Sequence, residues 1–246
     1  MTPGMIHVVM IDFGGGRAAG IQRAEMMAVA TALSIQAQQH FALPPPYGYG
    51  VAAIVRVAAG PFDVHQDEWV LGLFEKPDQP GALGYHDESP NGRPFSKLFP
   101  LLDKQEGSQW SVTASHELLE MLADPNVAKC AQLPDGTIFA YEVADQCEAQ
   151  SYLINNVHVS DFCLPPNFEP PTNWQSLKLD WMGLVKSPMQ VLPGGYAQYF
   201  DPQQGWQQVQ HAQQAPRAYR LQMRELGHGR GARRGQAHVV QPKLIG

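Results

Sequence analysis

The sequence predicts an α/β (α+β) fold, and three observations support this prediction. Residues 5–12, MIHVVMID, form a short apolar run rich in β-branched side chains, and the glycines at 14–16 end it, as is typical of a buried strand. Residues 19–41 have the composition of a helix. Two further apolar runs, VAAIVRVA at 51–58 and EWVLGLFE at 68–75, indicate a second and a third strand.

The other elements of this half follow from local patterns. In the first helix, mostly apolar side chains recur at helical spacing and mark the buried face: Ile21, Met26, Val29, Leu33 and Gln36. GALGYHD (81–87) and PFSKLFP (94–100) predict two short strands separated by the turn ESPNGR.

A second helix is expected at about 109–123. Ser108 is its expected N-cap, and Pro125 ends it because proline moves Asp124 out of helical geometry. A sheet built in this order would cover one face of the helix and leave the other face towards a cleft.

The second half of the chain is less regular. YLINNVHVSDFCL (152–164) alternates like a hairpin, and LPGGYAQYFDP (192–202) predicts another strand. Seven of the twelve residues at 203–214 are glutamine, which indicates a low-complexity linker.

One domain is therefore expected at 1–200, with the sheet and motif helix in 1–125 and an acidic loop and hairpin in 126–200. Residues 201–246 are expected to form the linker and an Arg-rich tail. The net charge is −6, yet residues 217–234 hold six arginines and one glutamate. Such a tail could touch an acidic partner, but almost no aromatic side chain interleaves the arginines, so nucleic acid is not an expected partner.

The sequence also allows predictions about the cellular compartment. No apolar run reaches the ~18 residues of a membrane span, so no membrane partner is expected. The first residues lack the pattern of a signal peptide, which predicts the cytoplasm, with non-classical export as the alternative. Three cysteines are too few for a disulfide scaffold and indicate reduced thiols, with Cys130–Cys147 or Cys147–Cys163 as the alternative bridges.

The stretch TASHELLEMLADP (113–125) carries the candidate chemistry. Positions i and i+4 of a helix share a face, so His116 and Glu120 could hold one cation together. Glu117 points roughly 100° away, towards a water molecule on that cation. In H-E-x-x-H enzymes the first glutamate is the general base, and zinc accepts carboxylate ligands. The alternative is an ordinary polar helix face.

A catalytic zinc site needs a third protein ligand, and YEVADQCE supplies an acidic cluster of Glu142, Asp145 and Glu148. The apolar neighbours of these carboxylates indicate partial burial, which favours a cation nearby. Glu142 and Asp145 are both candidates for the third ligand, and a capped loop is the alternative.

The paired motifs resemble those of uncharacterised bacterial and phage-associated proteins that share S-H-E-x-x-E-x-x-x-D-P followed by E-x-x-D-x-C-E. The resemblance covers residues 5 to about 200, and it extends more distantly to zincin-like metallopeptidases and to the plant phosphate-induced (exordium-like) proteins. It implies a zincin-like mixed twisted sheet with a long backing helix and an active-site helix. It also implies a zinc peptidase, with His116, Glu120 and either Glu142 or Asp145 as ligands.

In such a fold GALGYHD would be the edge strand that binds an extended peptide by strand addition, with Gly84, Tyr85 and His86 as the substrate-binding residues. The substrate would then be a peptide or protein. The sequence predicts no oligomeric state.

One departure from H-E-x-x-H weakens the expectation of proteolysis. Glu120 replaces the second histidine, so with a third carboxylate the site has no net positive charge, and zinc becomes a poorer Lewis acid. A divalent cation other than zinc, or a non-catalytic, metal-stabilised binding or structural module, is therefore the alternative. An assembly or adaptor component that joins an acidic body to a basic tail is a third hypothesis.

Overall fold

A computed structural model describes residues 4–14, 20–78, 83–211 and 239–240. Its first sheet contains five strands, which are β1 (Met5–Asp12), β2 (Ala52–Val57), β3 (Trp69–Leu73), β4 (Gly84–Glu88) and β5 (Pro94–Leu98). They lie in the order β2-β1-β3-β5-β4, with β4 antiparallel to its neighbour and the others parallel. This mixed sheet confirms the α+β prediction and places β4 at an edge.

The first helix, α1 (Arg23–Ile35), continues as a π-helical segment over Gln36–Phe41. All five residues of its predicted stripe are buried. The polar member, Gln36, is satisfied because its side chain accepts a hydrogen bond from Ser115 Oγ (2.7 Å) and donates one to the Ser160 carbonyl (2.8 Å).

Two helices follow the sheet, α2 (Pro100–Gln105) and α3 (Trp110–Ala123). The sequence patterns did not predict α2, which begins at a proline. The expected cap at Ser108 is wrong, because Gln109 occupies the N-cap position of α3 and makes no side-chain capping hydrogen bond.

Asp124 ends α3 with non-helical backbone angles, as predicted. Its carboxylate accepts hydrogen bonds from the backbone N–H groups of Ala128 (3.0 Å) and Lys129 (2.8 Å). Asp124 therefore stabilises the turn after the helix and is separate from the metal chemistry considered below.

The expectation that one face of α3 lies open to a cleft is also wrong. All residues from Trp110 to Leu122 are buried except Val112. The helix packs against β4 and β5 on one side and against the later hairpin on another. Its polar residues therefore face other protein groups, which must satisfy them.

The second half forms two more sheets. A hairpin pairs β8 (Ser151–Ile154) with β9 (Val157–Ser160), as predicted. The other sheet contains β6 (Cys130–Gln132), β7 (Ile138–Ala140), β10 (Tyr196–Asp201), β11 (Gly205–Gln210) and β12 (Val239–Val240). A short helix, α4 (Pro165–Phe168), follows the hairpin.

The Gln-rich segment at 203–214 is not simply a linker, because β11 lies within it and pairs antiparallel with β10. A low-complexity composition concealed this strand, since glutamine is a weak strand signal. The Arg-rich segment 217–234 lies outside the described residues.

The three cysteines, Cys130, Cys147 and Cys163, are free and buried, so neither alternative bridge is present. Among the described helices, none has the length and apolar character that crossing a membrane requires.

Candidate metal centre

Three separate parts of the chain bring seven ionisable side chains together. Helix α3 supplies three of them, β4 supplies one, and the loop before the hairpin supplies three. The seven are His86, His116, Glu117, Glu120, Glu142, Asp145 and Glu148. The side-chain exposure of the first six is 4% or less, and that of Glu148 is 18%.

His116 lies among three carboxylates. Its Nε2 is 3.2 Å from Glu120 Oε1 and 3.3 Å from Asp145 Oδ1. Its Nδ1 lies 2.8 Å from Glu148 Oε2 on the other side of the ring. The predicted i, i+4 pair therefore meets on one helix face, and Asp145 joins it from the acidic loop.

The charges around His116 shift three pKa values. Burial lowers the pKa of His116, but the charges of Glu120 and Glu148 outweigh burial and raise it well above its usual value. Burial would raise the pKa of Glu120, but His116 holds it well below its usual value. Burial and the charge of Glu120 raise the pKa of Asp145 to about 7.

His86 lies at the deeper end of the same group. Its Nδ1 is 3.5 Å from both Glu117 Oε2 and Glu120 Oε2. Its Nε2 is 3.8 Å from Glu142 Oε2. The structure therefore places Glu142 beside His86, whereas Asp145 lies beside His116.

The acidic loop is held in place by backbone contacts with two segments, the chain that leads into β10 and the chain that follows the hairpin. Backbone Leu192 N–H donates to the Gln146 carbonyl at 2.9 Å. Gly195 approaches so closely that a Cβ there would lie 2.4 Å from the same carbonyl oxygen. Cys163 N–H donates to the Val143 carbonyl at 2.6 Å. These backbone contacts hold Asp145 towards α3.

The three residues expected to bind a peptide have other roles. Gly84 lets β4 approach α3, since a Cβ there would lie 2.8 Å from Thr113 Cγ2 and 3.0 Å from Glu117 Oε1. The Tyr85 hydroxyl donates to Asp78, and His86 belongs to the ionisable group itself.

The expected strand addition to β4 meets a structural obstacle. Phe99 N–H donates to the Leu83 carbonyl, so Leu83 and Phe99 are a hydrogen-bonded pair of the ladder. Because such pairs alternate along an antiparallel ladder, the N–H and C=O groups of Gly84 and His86 point away from β5, towards the edge. Gly84 is buried, however, and His86 is 0% exposed. In this conformation the edge at these two residues is covered, and peptide binding by Gly84, Tyr85 and His86 stays a prediction.

Two sets of residues have ligand atoms close enough to hold a cation. One nitrogen or oxygen from each of His86, Glu120 and Glu142 lies within 4.8 Å of the others, and the same holds for His116, Asp145 and Glu148. Sequence reasoning placed Glu148 in the acidic cluster without a role, and placed His86 on the edge strand as a substrate contact. A pattern within one segment of sequence cannot show that β4 lies beside α3. His86 reaches this position only through the order of the strands in the sheet.

Cys147, Met182 and Met189 follow the motif helix in the sequence and are not among the seven side chains of the centre. The buried Cys147 thiol donates to the Ala144 carbonyl, and burial raises its pKa well above the usual value, which argues against a nucleophile. Met189 packs in the core, whereas Met182 is exposed.

Comparisons of the chain with protein-family models, with curated proteins and with solved structures returned no match.

Proposed function

We propose that this chain binds a divalent cation between His116, Glu120 and Asp145 and acts as a metal-dependent hydrolase. One observation carries the proposal: carboxylate oxygens from two segments converge on a single imidazole nitrogen at 3.2 and 3.3 Å. Ligands about 2.0–2.1 Å from a tetrahedral zinc ion lie about 3.3 Å from one another. Each carboxylate oxygen therefore lies at ligand spacing from His116 Nε2.

The environment of His116 supports its assignment as a ligand through Nε2. A metal-binding histidine usually donates its other N–H to a carboxylate, which fixes the ring and its tautomer. Glu148 Oε2 lies on that side of the ring, 2.8 Å from Nδ1, as an ion-pair contact without the alignment of a hydrogen bond. Asp145 is preferred to Glu142 as third ligand because it faces Nε2 of the same ring.

A bound zinc ion, or a similar divalent cation, supplies a Lewis acid and lowers the pKa of a water molecule. Glu117 lies one position from His116 on α3 and is 2% exposed. Its Oε2 accepts no hydrogen bond within the described residues, so this oxygen remains able to accept a proton. Glu117 would take a proton from the attacking water and return it to the leaving group. Peptide bonds are the substrate class that the resemblance favours.

A non-catalytic, metal-stabilised module is the second candidate, and burial favours it. Apart from Glu148, none of the seven side chains is more than 4% exposed. A cation there would join α3, β4 and the acidic loop, and its binding free energy would contribute to folding. A substrate would reach the centre most directly past Glu148, the one member with appreciable exposure.

Elemental analysis of the purified chain tests metal binding directly. Zinc should be present in the wild type and reduced in His116→Ala and in Glu120→Ala. His158→Ala, which changes an exposed histidine of the hairpin, is the matched control and should keep its zinc. A folded wild type that contains no metal and takes up none from solution would exclude both candidates.

A cleavage screen with a peptide library then separates them. Hydrolysis that disappears with a chelator and returns with zinc would support the hydrolase. A zinc-loaded chain that cleaves nothing, and whose melting temperature falls on chelation, would support the structural module instead.

A further inference from the structure

The centre contains more carboxylates than one cation needs. Glu117, Glu120, Glu142, Asp145 and Glu148 surround the two histidines. When all five are ionised and both histidines are neutral, as metal ligands are, one divalent cation leaves a net charge of −3, and two leave −1. Within the described residues, no lysine or arginine pairs with Glu117, Glu120, Asp145 or Glu148. Buried anions in this number require positive charge nearby.

Glu120 occupies the position of a bridging ligand. Its Oε1 lies 3.2 Å from His116 Nε2, and its Oε2 lies 3.5 Å from His86 Nδ1. One carboxylate thus directs a different oxygen towards each histidine. In centres with two metal ions about 3.5–4 Å apart, a carboxylate between the ions commonly binds each of them through one oxygen.

The residues around His86 form a second ligand set, which shares only Glu120 with the ligands proposed for the first cation. One ring nitrogen of His86 and one oxygen each of Glu120 and Glu142 lie within 4.8 Å of one another. Glu117 Oε2, buried and without a hydrogen bond in the described part of the chain, lies 3.5 Å from His86 Nδ1 and points into the same space. A second cation there would compensate these carboxylates.

We propose that the centre binds two divalent transition-metal ions, the second of them held by His86, Glu142 and the shared Glu120. Mixed imidazole and carboxylate ligands suit ions such as Zn²⁺ and Mn²⁺. This inference rests on the proposed function for the first ion only. It adds the second ion and the bridging role of Glu120.

Metal stoichiometry tests the second site. The full chain is stripped with a chelator, dialysed against Zn²⁺ and assayed by elemental analysis, with circular dichroism to verify folding. The wild type is expected to bind about two zinc ions per chain, and His86→Gln and Glu142→Gln about one each. His158→Gln should remain at the wild-type value.

Loading with Mn²⁺ provides a readout that does not depend on zinc counts or on His86→Gln folding. Two ions bridged by Glu120 should give an exchange-coupled electron paramagnetic resonance spectrum, which Glu142→Gln replaces with the spectrum of an isolated ion.

Three other metal contents would contradict the proposal, and each identifies which part of it fails. About one zinc ion in the wild type, unchanged in Glu142→Gln, would remove the second site and leave the proposed function intact. No bound metal at all would remove both. A wild-type content of about two that persists in His86→Gln and Glu142→Gln would place the second ion elsewhere.

Discussion

Glu148 Oε2 lies 2.8 Å from His116 Nδ1, on the opposite side of the ring from the nitrogen that faces Glu120 and Asp145. The acidic loop therefore contacts both nitrogens of one histidine, with Asp145 beside Nε2 and Glu148 beside Nδ1. These two contacts restrict movement of the imidazole from both sides before any cation binds.

Glu148→Gln is expected to weaken metal binding without removing a direct ligand. Loss of the carboxylate behind a metal-binding histidine typically lowers affinity about 10–100-fold. Competition with a chromophoric chelator would measure the dissociation constant. Glu106→Gln, at an exposed position on the surface, is the control. An affinity equal to that of the wild type would mean that Glu148 does not orient His116.

Glu117→Gln should retain the metal and lose hydrolysis. The amide keeps the size of the side chain but cannot take a proton from water, and removal of a general base typically lowers the rate by about 10²–10⁴. Turnover of the best substrate from the peptide screen, beside metal content, makes the measurement. Full activity in the variant would rule out Glu117 as the base.

The proximity of His116 and Glu120 on α3 could be predicted from the sequence because it depends on helix geometry alone. His116 and Glu120 are one turn apart, so any helix there brings them together. The acidic cluster could be identified by composition, but which of its carboxylates faces which histidine could not. Glu142 faces one histidine and Asp145 the other, and this depends on how the loop packs under Leu192 and its neighbours.

The burial of α3 and the position of His86 could not be predicted because both depend on long-range packing. His86 reaches the centre only because β4 returns antiparallel at the edge of the sheet beside α3. The burial of Gln36 also depends on long-range packing. Its place in an apolar stripe made sense only once Ser115 and Ser160 were found to satisfy its amide.

Gly84→Ala should destabilise the fold and disturb the centre together. A Cβ at position 84 would lie 2.8 Å from Thr113 Cγ2 and 3.0 Å from Glu117 Oε1, so either these side chains or β4 and α3 must shift. We expect a loss of about 1–3 kcal/mol in the free energy of unfolding, measured by urea titration. Gly60→Ala is the matched control, because a Cβ there meets nothing within 4 Å. Equal stability of the two variants would contradict the close approach.

Asp161 and Asp180 are a second buried carboxyl pair, away from the metal centre. Both are 0% exposed. Asp161 Oδ1 accepts a hydrogen bond from Met182 N–H at 3.1 Å, while Asp180 accepts from the N–H groups of Leu184 and Val185. Burial, and then the hydrogen bond and charge of Asp180, raise the pKa of Asp161 from 3.8 to about 8. Burial and the neighbouring Asp180 therefore favour the protonated form of Asp161.

This pair should make the fold less stable as pH rises. Between pH 3.8 and about 8 the folded chain keeps a proton on Asp161 that the unfolded chain has released, so the free energy of unfolding falls through this window. Asp161→Asn, whose amide is uncharged at every pH, should reduce that fall and raise the melting temperature at pH 8 relative to the wild type. Melting curves at a series of pH values, with exposed Asp67→Asn as control, make the comparison. If the melting temperatures of Asp161→Asn and the wild type kept the same separation from pH 5 to pH 8, Asp161 would not be the group that holds the proton.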